Sequence, residues 1–231
     1  MPKATSIVLF DIDGTLIRRA GAHHKDALIK GIHEITGLST TLDGVSTHGM
    51  LDGDLIVNML LAAGHPEEHV HANLRAIMAE GQRHYLSSCA DDLTQNVCPG
   101  VTELLAELKR REAALGLVTG NLSQIGWKKM ELAGLRDYFS FGAFAEDGGT
   151  RTDLARMAAQ HALQAELADP GSRITLIGDH PNDIQAAKSN GFQAIGVATG
   201  LSTLEELEAA NPDAAVRTLH EVEIGRLLSH A

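Results

Sequence analysis

Aromatic side chains are scarce in this sequence, and basic residues are outnumbered by acidic ones. Phe, Trp and Tyr make up 3% of the 231 residues, which leaves few rings for stacking bases. Lys and Arg number 19 against 30 Asp and Glu, so the formal net charge is −11 with neutral His. Because an acidic surface repels phosphate backbones and anionic lipid headgroups, we expect no nucleic-acid binding and no membrane binding.

Cysteines and long apolar runs are also rare. Cys89 and Cys98 have no CxxC pair, so they form no zinc signature and are interpreted as reduced structural thiols. The first apolar run covers only residues 7–10, far fewer than a secretory or membrane-spanning segment needs. We therefore expect a cytoplasmic protein. With 44% apolar and 21% charged residues, the chain is predicted to fold.

Several short apolar runs end at Gly, Asp or Thr. Runs of four or five such residues between turn signals predict the buried strands of a parallel sheet. They cover residues 7–10, 114–118, 141–145, 174–177 and 194–197. Helical spacing follows them, including a helix with an N-cap at Thr152 and a closing helix over 219–228. This alternation predicts an α/β fold, a doubly wound parallel sheet with right-handed crossovers.

Residues 20–92 interrupt the alternation, because they contain helical patterns at 27–35, 55–62 and 70–86 but no convincing strand. We interpret 20–92 as an all-helical cap domain inserted into a core domain made of 1–19 and 93–231. Within the insertion, four polar residues are candidates for facing a ligand: His23, His24, His48 and Asp52. In the core, Lys128 and Lys129 are interpreted as part of a surface helix.

Acidic, hydroxyl and amide residues follow three of the predicted strands. In open α/β sheets, ligands bind beyond the carboxyl ends of the strands. The residues are Asp11, Asp13, Thr119, Asn121, Asp179 and Asp183. Four carboxylates at one edge repel one another unless a cation lies between them. Oxygen ligands with room for water favour Mg²⁺ over zinc or copper, so Mg²⁺ is the expected cofactor.

The run Asp-Ile-Asp-Gly-Thr-Leu at 11–16 resembles the first motif of the haloacid dehalogenase superfamily. Leu-Val-Thr-Gly-Asn at 117–121 and Gly-Asp-His-Pro-Asn-Asp at 178–183 are similar to its second and fourth motifs. The resemblance spans nearly the whole chain. It is to phosphatase-like members with a helical cap, such as phosphoglycolate phosphatases and β-phosphoglucomutases.

The third motif departs from the family pattern, which usually has Lys. This chain reads Asp-Gly-Gly-Thr-Arg at 147–151, so Arg151 is the candidate for the basic position. A guanidinium can hold two phosphate oxygens at once, whereas the alternative is a solvated Arg at a helix start. His180 stands where the relatives usually carry Thr or Ser.

The resemblance implies a Mg²⁺-dependent phosphatase acting on a small phosphorylated metabolite through an aspartyl-phosphate. Asp11 would be the nucleophile, ionised at an ordinary pKa, and Asp13 the general acid and base, with a pKa raised by its neighbours. The implied phosphate-binding residues are Thr119, Gly120, Asn121 and Arg151. The implied metal site comprises Asp11, Asp13 through its backbone carbonyl, Asp179 and Asp183, the last acting through water or hydrogen bonds.

Alternative functions stay open at this point. A sugar-phosphate mutase would use the same nucleophile and pass the phosphate to a sugar instead of water. A phospho-acceptor signalling domain or a catalytically silent relative would bind without turnover. The sequence predicts a monomer or a homodimer and does not name the substrate.

Overall fold

The computed structural model describes residues 3–18, 20–44 and 47–228. Within them, six parallel strands form one sheet in the order β3-β2-β1-β4-β5-β6. The strands are β1 (Ala4–Phe10), β2 (Ala114–Val118), β3 (Phe141–Ala143), β4 (Ala168–Gly178), β5 (Gln193–Val197) and β6 (Ala214–Val216). The predicted α/β class with a doubly wound parallel sheet is confirmed.

Helices lie between the strands and after the last of them. They are α1 (His23–Thr36), α2 (Asp52–Ala62), α3 (Glu67–Val70), α4 (Leu74–Ser88), α5 (Val101–Arg110), α6 (Ser123–Leu132), α7 (Arg151–Gln164), α8 (Pro181–Ser189), α9 (Leu204–Ala209) and α10 (Ile224–Leu227). Across the described ranges, none of these helices is both long enough and apolar enough to cross a membrane.

Strand β1 lies in the middle of the sheet and is covered on both faces. Ile7 and Leu9 pack into one apolar cluster, whereas Val8 and Phe10 pack into a second. This double burial explains the continuous apolar run, since a strand with one wet face would alternate with polar residues. Because β2 and β4 flank β1 on opposite sides, the order in which strands are added to the sheet reverses at β1, and its carboxyl end is a topological switch point.

The helical insertion, which we define as α1 to α4, lies between β1 and β2 in the chain. Its centre is the contact between α1 and α4, where Leu28 and Ile77 are buried. A Cβ atom on Gly31 would lie 2.8 Å from the backbone nitrogen of Gly81, so the glycine permits this close approach. The insertion is helical as predicted, and its boundary with the core at 20–92 stays a prediction.

Three predicted helices differ from the observed ones. The pattern over 70–86 is split into α3 and α4, because the chain turns between them and Ala72 donates to the His69 carbonyl. Helix α7 begins earlier than predicted, since the N-cap is Thr150 and not Thr152. The predicted closing helix over 219–228 is a 3₁₀ turn followed by the short α10.

Candidate active site

Three buried residues lie directly after three neighbouring strands. Asp11 follows β1, Thr119 follows β2 and Asp179 follows β4. The turn after Asp11 passes through Gly14 at φ +93, a conformation that side chains with a Cβ rarely adopt. A Cβ on Gly14 would also lie 2.3 Å from Oδ2 of Asp179, so glycine is needed to let this carboxylate approach the turn.

A triad of buried carboxylates forms the centre of the site. Asp11, Asp179 and Asp183 each offer an oxygen atom, and these atoms all lie within 4.8 Å of one another. Asp183 Oδ2 accepts a hydrogen bond of 3.2 Å from the His180 amide at the start of α8. Its Oδ1 is buried and meets no hydrogen-bond donor among the described residues, which leaves a hard oxygen ligand for a cation.

Burial and mutual repulsion change the ionisation of the triad. Burial raises the pKa of Asp11, the Arg151 guanidinium partly offsets this, and the charge on Asp183 raises it again, so that the pKa is about 7. Burial and the neighbouring carboxylates raise the pKa of Asp179 to about 8. The expectation of an ordinary pKa for Asp11 is therefore wrong for the metal-free protein. A divalent cation at the triad would favour the ionised forms.

Arg151 lies inside this site. Its Nη1 donates to Asp11 Oδ1 over 3.0 Å and to the Val118 carbonyl over 3.2 Å. Its Nε lies 3.2 Å from Asp183 Oδ1, an ion pair without hydrogen-bond geometry. The side chain is 9% exposed, so the alternative of a solvated Arg at a helix start is wrong.

The Asp13 carboxylate is paired with a lysine from α6. Lys129 Nζ lies 2.6 Å from Asp13 Oδ2 and 2.8 Å from Oδ1, and Asn121 Nδ2 donates to Oδ2 over 2.7 Å. Lys129 is 2% exposed, so its assignment to a surface helix is wrong. The sequence did carry a signal for the burial of Lys129. It lies four residues after the buried Ile125, and residues i and i+4 share one helix face.

This pairing also reverses the expected pKa of Asp13. Burial would raise the pKa of Asp13, but the charge of Lys129 and the hydrogen bonds from Lys129 and Asn121 outweigh it. The pKa of Asp13 is therefore lowered from its ordinary value. The predicted upward shift is wrong, because it considered only neighbouring carboxylates.

The loop after β2 touches the helical insertion. Thr119 Oγ1 accepts from Asn121 Nδ2 over 2.6 Å, which fixes the amide that holds Asp13. The Gly120 carbonyl accepts from the Asp52 amide at the start of α2 over 2.8 Å. A Cβ on Gly120 would lie 2.3 Å from the Met50 carbonyl, so the two segments meet in direct contact.

A cavity of about 530 Å³ lies between the core and the helical insertion, and Asp11, Asp179, Arg151 and Lys129 line it. From the insertion, His24, His48 and Asp52 line it as well. The ring of His48 packs edge-to-face against His180, with centroids 4.3 Å apart. The fourth candidate, His23, instead pairs with Asp91 at 3.1 Å. His180 caps α8, since its Nδ1 accepts from the Asn182 amide over 3.1 Å.

The sequence model of the haloacid dehalogenase-like hydrolases matches residues 5–191, a span that holds every site residue described above. "Probable phosphatase IndB" of Dickeya dadantii (strain 3937) is 28% identical over 216 residues, covering 94% of this chain and 91% of that protein. "Phosphoglycolate phosphatase" of Nitrosococcus oceani is 26% identical and is covered over 100% of both chains. The solved structure of β-phosphoglucomutase from Clostridium difficile superposes with a TM-score of 0.72 at 19% identity, covering 96% of this chain and 94% of that chain. The last likeness concerns the fold alone.

Proposed function

Because the chain belongs to the haloacid dehalogenase-like hydrolases, we propose that it is a Mg²⁺-dependent phosphatase of small phosphorylated metabolites. One observation carries the proposal. The buried Asp11 carboxylate lies within 4.8 Å of Asp179 and Asp183 and 3.0 Å from the Arg151 guanidinium, so a nucleophile, a cation site and a positive charge share one site. Phosphoryl transfer requires all three.

Asp11 acts as the nucleophile. A carboxylate oxygen of Asp11 attacks phosphorus in line, the bond from phosphorus to the leaving oxygen breaks, and an aspartyl-phosphate forms on Asp11. Asp13 protonates the leaving oxygen in this step. In the second step Asp13 takes a proton from water, the water oxygen bonds to phosphorus, and the bond to Asp11 breaks. Because the pKa of Asp13 is lowered, its carboxylate is ionised at neutral pH, the state that this second step requires, and for the first step it must take up a proton from solvent.

Other residues of the core hold the phosphate group. The Thr119 hydroxyl and the Gly120 N–H bind its oxygens, and Arg151 balances the charge that develops on them. Asn121 donates to Asp13 and accepts from Lys129, which favours a role in shaping the site over direct phosphate contact.

The carboxylate triad fits Mg²⁺. Asp11, Asp179 and the Asp13 backbone carbonyl would hold the ion, and Oδ1 of Asp183, which accepts no hydrogen bond from the described residues, would orient its water ligands. When bound, the ion neutralises negative charge on the phosphate oxygens. The Asp13 side chain takes no part in this set, because it is paired with Lys129.

The helical insertion acts as a cap that encloses the substrate. Its loop contacts Gly120 and His180 directly, so the insertion covers one side of the cavity. A cavity of about 530 Å³ suits a small metabolite. Since one full-length relative is named phosphoglycolate phosphatase, phosphoglycolate is the first physiological compound to supply.

The test measures phosphate release from p-nitrophenyl phosphate, phosphoglycolate and a panel of sugar phosphates. The wild-type chain is compared with Asp11→Asn, and Mg²⁺ with a chelator. Asp169→Asn is the matched control, because Asp169 is an exposed residue of β4. Release that needs both Mg²⁺ and Asp11 would support the proposal, whereas turnover by clean Asp11→Asn protein would contradict it. If a hexose phosphate with its bisphosphate gives an isomer and no free phosphate, the mutase alternative is favoured instead.

A further inference from the structure

Lys129 is a buried cation to which the proposed reaction gives no role. Its side chain is 2% exposed, and its ammonium group has three kinds of partner. It contacts both oxygens of Asp13, donates to Asn121 Oδ1 over 2.7 Å, and lies 3.2 Å from His24 Nδ1. An ammonium group offers three hydrogens, so these contacts use its full donor capacity. A buried charge with such complete pairing is held in one geometry.

The contacts continue from Lys129 into the helical insertion. His24 of α1 lies between Lys129 and Asp52 of α2. Its Nδ1 faces Lys129, and its Nε2 lies 2.8 Å from Asp52 Oδ2. Lys129 can only donate, so His24 Nδ1 accepts and Nε2 carries the hydrogen that Asp52 receives. Each contact in this series therefore joins a donor to an acceptor.

The insertion also holds the helix on which Lys129 lies. Asp52 Oδ2 accepts from the Leu122 amide over 2.8 Å, and Gln82 of α4 accepts from the Gln124 amide over 2.9 Å. The first N–H groups of a helix have no partner within it, so two side chains of the insertion satisfy amides at the start of α6. The position of α6, and with it that of Lys129, therefore depends on the insertion.

We infer that Lys129 is a positioning residue that holds the Asp13 carboxylate where it takes the proton from the attacking water, and that His24 and Asp52 hold Lys129 in turn. The inference rests on the proposed function. In the step concerned, an O–H bond of water breaks and its proton goes to Asp13. The water oxygen bonds to phosphorus, and Asp11 leaves as a carboxylate. Lys129 keeps its protons throughout.

The test separates the two chemical steps with p-nitrophenyl phosphate, whose leaving group departs without protonation. Lys129→Met keeps the length of the side chain and removes the charge. We expect kcat to fall by about tenfold to a hundredfold, a part of the roughly 10²- to 10⁴-fold that general acid–base catalysis contributes, because Asp13 itself remains. KM should fall in parallel, so that kcat/KM stays within about twofold and a burst of nitrophenol marks the accumulated aspartyl-phosphate.

Lys128→Met is the matched control, because its neighbour Lys128 pairs only with the exposed Glu131 among the described residues. A second arm combines Lys129→Met with Asp13→Asn. If Lys129 acts through Asp13, the double variant is no slower than Asp13→Asn alone. Multiplicative effects, or a loss of kcat/KM equal to the loss of kcat, would overturn the inference.

Two further variants keep the test decisive if Lys129→Met does not fold, as judged by circular dichroism. His24→Gln and Asp52→Asn remove the next contacts in the series and should give the same fall in kcat at constant kcat/KM. Folded variants with wild-type kcat would overturn the inference. If the wild-type chain shows no Asp11-dependent release of phosphate, the proposed function itself is contradicted. If the wild type is active and Lys129→Met behaves like Lys128→Met, only the inference is contradicted.

Discussion

Arg151 donates a hydrogen bond of 3.0 Å to Asp11, and both side chains are buried. The same guanidinium lies 3.2 Å from Asp183, so one cation compensates two carboxylates. Burial would lower the pKa of Arg151, but the charges of Asp11 and Asp183 outweigh it and raise the pKa. Arg151 therefore stays charged and has a structural role beside its proposed role in phosphate binding.

Arg151→Met should lower the free energy of unfolding of the metal-free protein by about 3–5 kcal/mol, the usual cost of leaving a buried charge without its partner. Arg151→Lys should lose less, because the charge remains although the planar donor geometry is lost. Urea unfolding at neutral pH measures both. The control is Arg156→Met, since Arg156 is half exposed and its pair with Asp153 lies on the surface. Equal stability of Arg151→Met and Arg156→Met would refute this role.

The stability of the metal-free protein should depend on pH through the triad. The pKa values of Asp11 and Asp179 are raised to about 7 and about 8, whereas unfolded Asp titrates near 3.9. Between these values the folded protein binds more protons than the unfolded chain. The contribution of Asp11 and Asp179 to the free energy of unfolding is therefore fully present below about pH 4, and it is lost as the pH rises through the folded-state pKa values.

Mg²⁺ should counteract this loss, since it binds the ionised carboxylates. We expect the rise in Tm caused by Mg²⁺ to be larger at about pH 8 than at about pH 5.5, because at the lower pH the ion competes with bound protons. Thermal melts with Mg²⁺ and with a chelator measure the difference, and Asp179→Asn should reduce it. A rise in Tm independent of pH would count against the triad as the metal site.

Asp183→Asn addresses the metal site more directly. Asp183 Oδ1 meets no hydrogen-bond donor in the described part of the chain, and an amide nitrogen in its place would face the Arg151 Nε. We expect Mg²⁺ affinity to fall about tenfold to a hundredfold, as when groups that orient metal ligands are removed. A Mg²⁺ titration of activity or of Tm gives the value, with Asp169→Asn as the control. Unchanged affinity would exclude Asp183 from the metal site.

The strands of the core could be predicted because burial on both faces produces apolar runs bounded by turns. Strand β2 covers the predicted residues 114–118, and β5 differs by one residue. Strand β6 was missed, since its three residues are only half buried and form no recognisable run. The division of 70–86 into α3 and α4 depends on a local turn that helical periodicity does not reveal.

The site could be predicted where residues directly follow a strand. Asp11, Thr119 and Asp179 are such residues, and the structure brings them together. The role of Lys129 was missed, because its partners come from α1 and from the loops after β1 and β2. The pKa of Asp13 could not be predicted for the same reason, since its direction depends on Lys129.

Gly120→Ala should separate the helical insertion from the loop after β2. A methyl group on Gly120 would lie 2.3 Å from the Met50 carbonyl, and backbone atoms on both sides cannot give way easily. The hydrogen bond from the Asp52 amide to the Gly120 carbonyl would lengthen as the segments part. Gly149→Ala is the matched control, because a Cβ there meets no described atom within 4 Å.

We expect Gly120→Ala to raise KM for small phosphate esters by about tenfold or more, since closure of the insertion both holds the substrate and excludes water. The fold should survive, because the sheet is untouched. Hydrogen exchange should quicken at the Asp52 and Leu122 amides, whose partners lie across the same contact. If KM and exchange both match those of Gly149→Ala, the contact at Gly120 does not control closure, and the insertion must be held by its other contacts with the core.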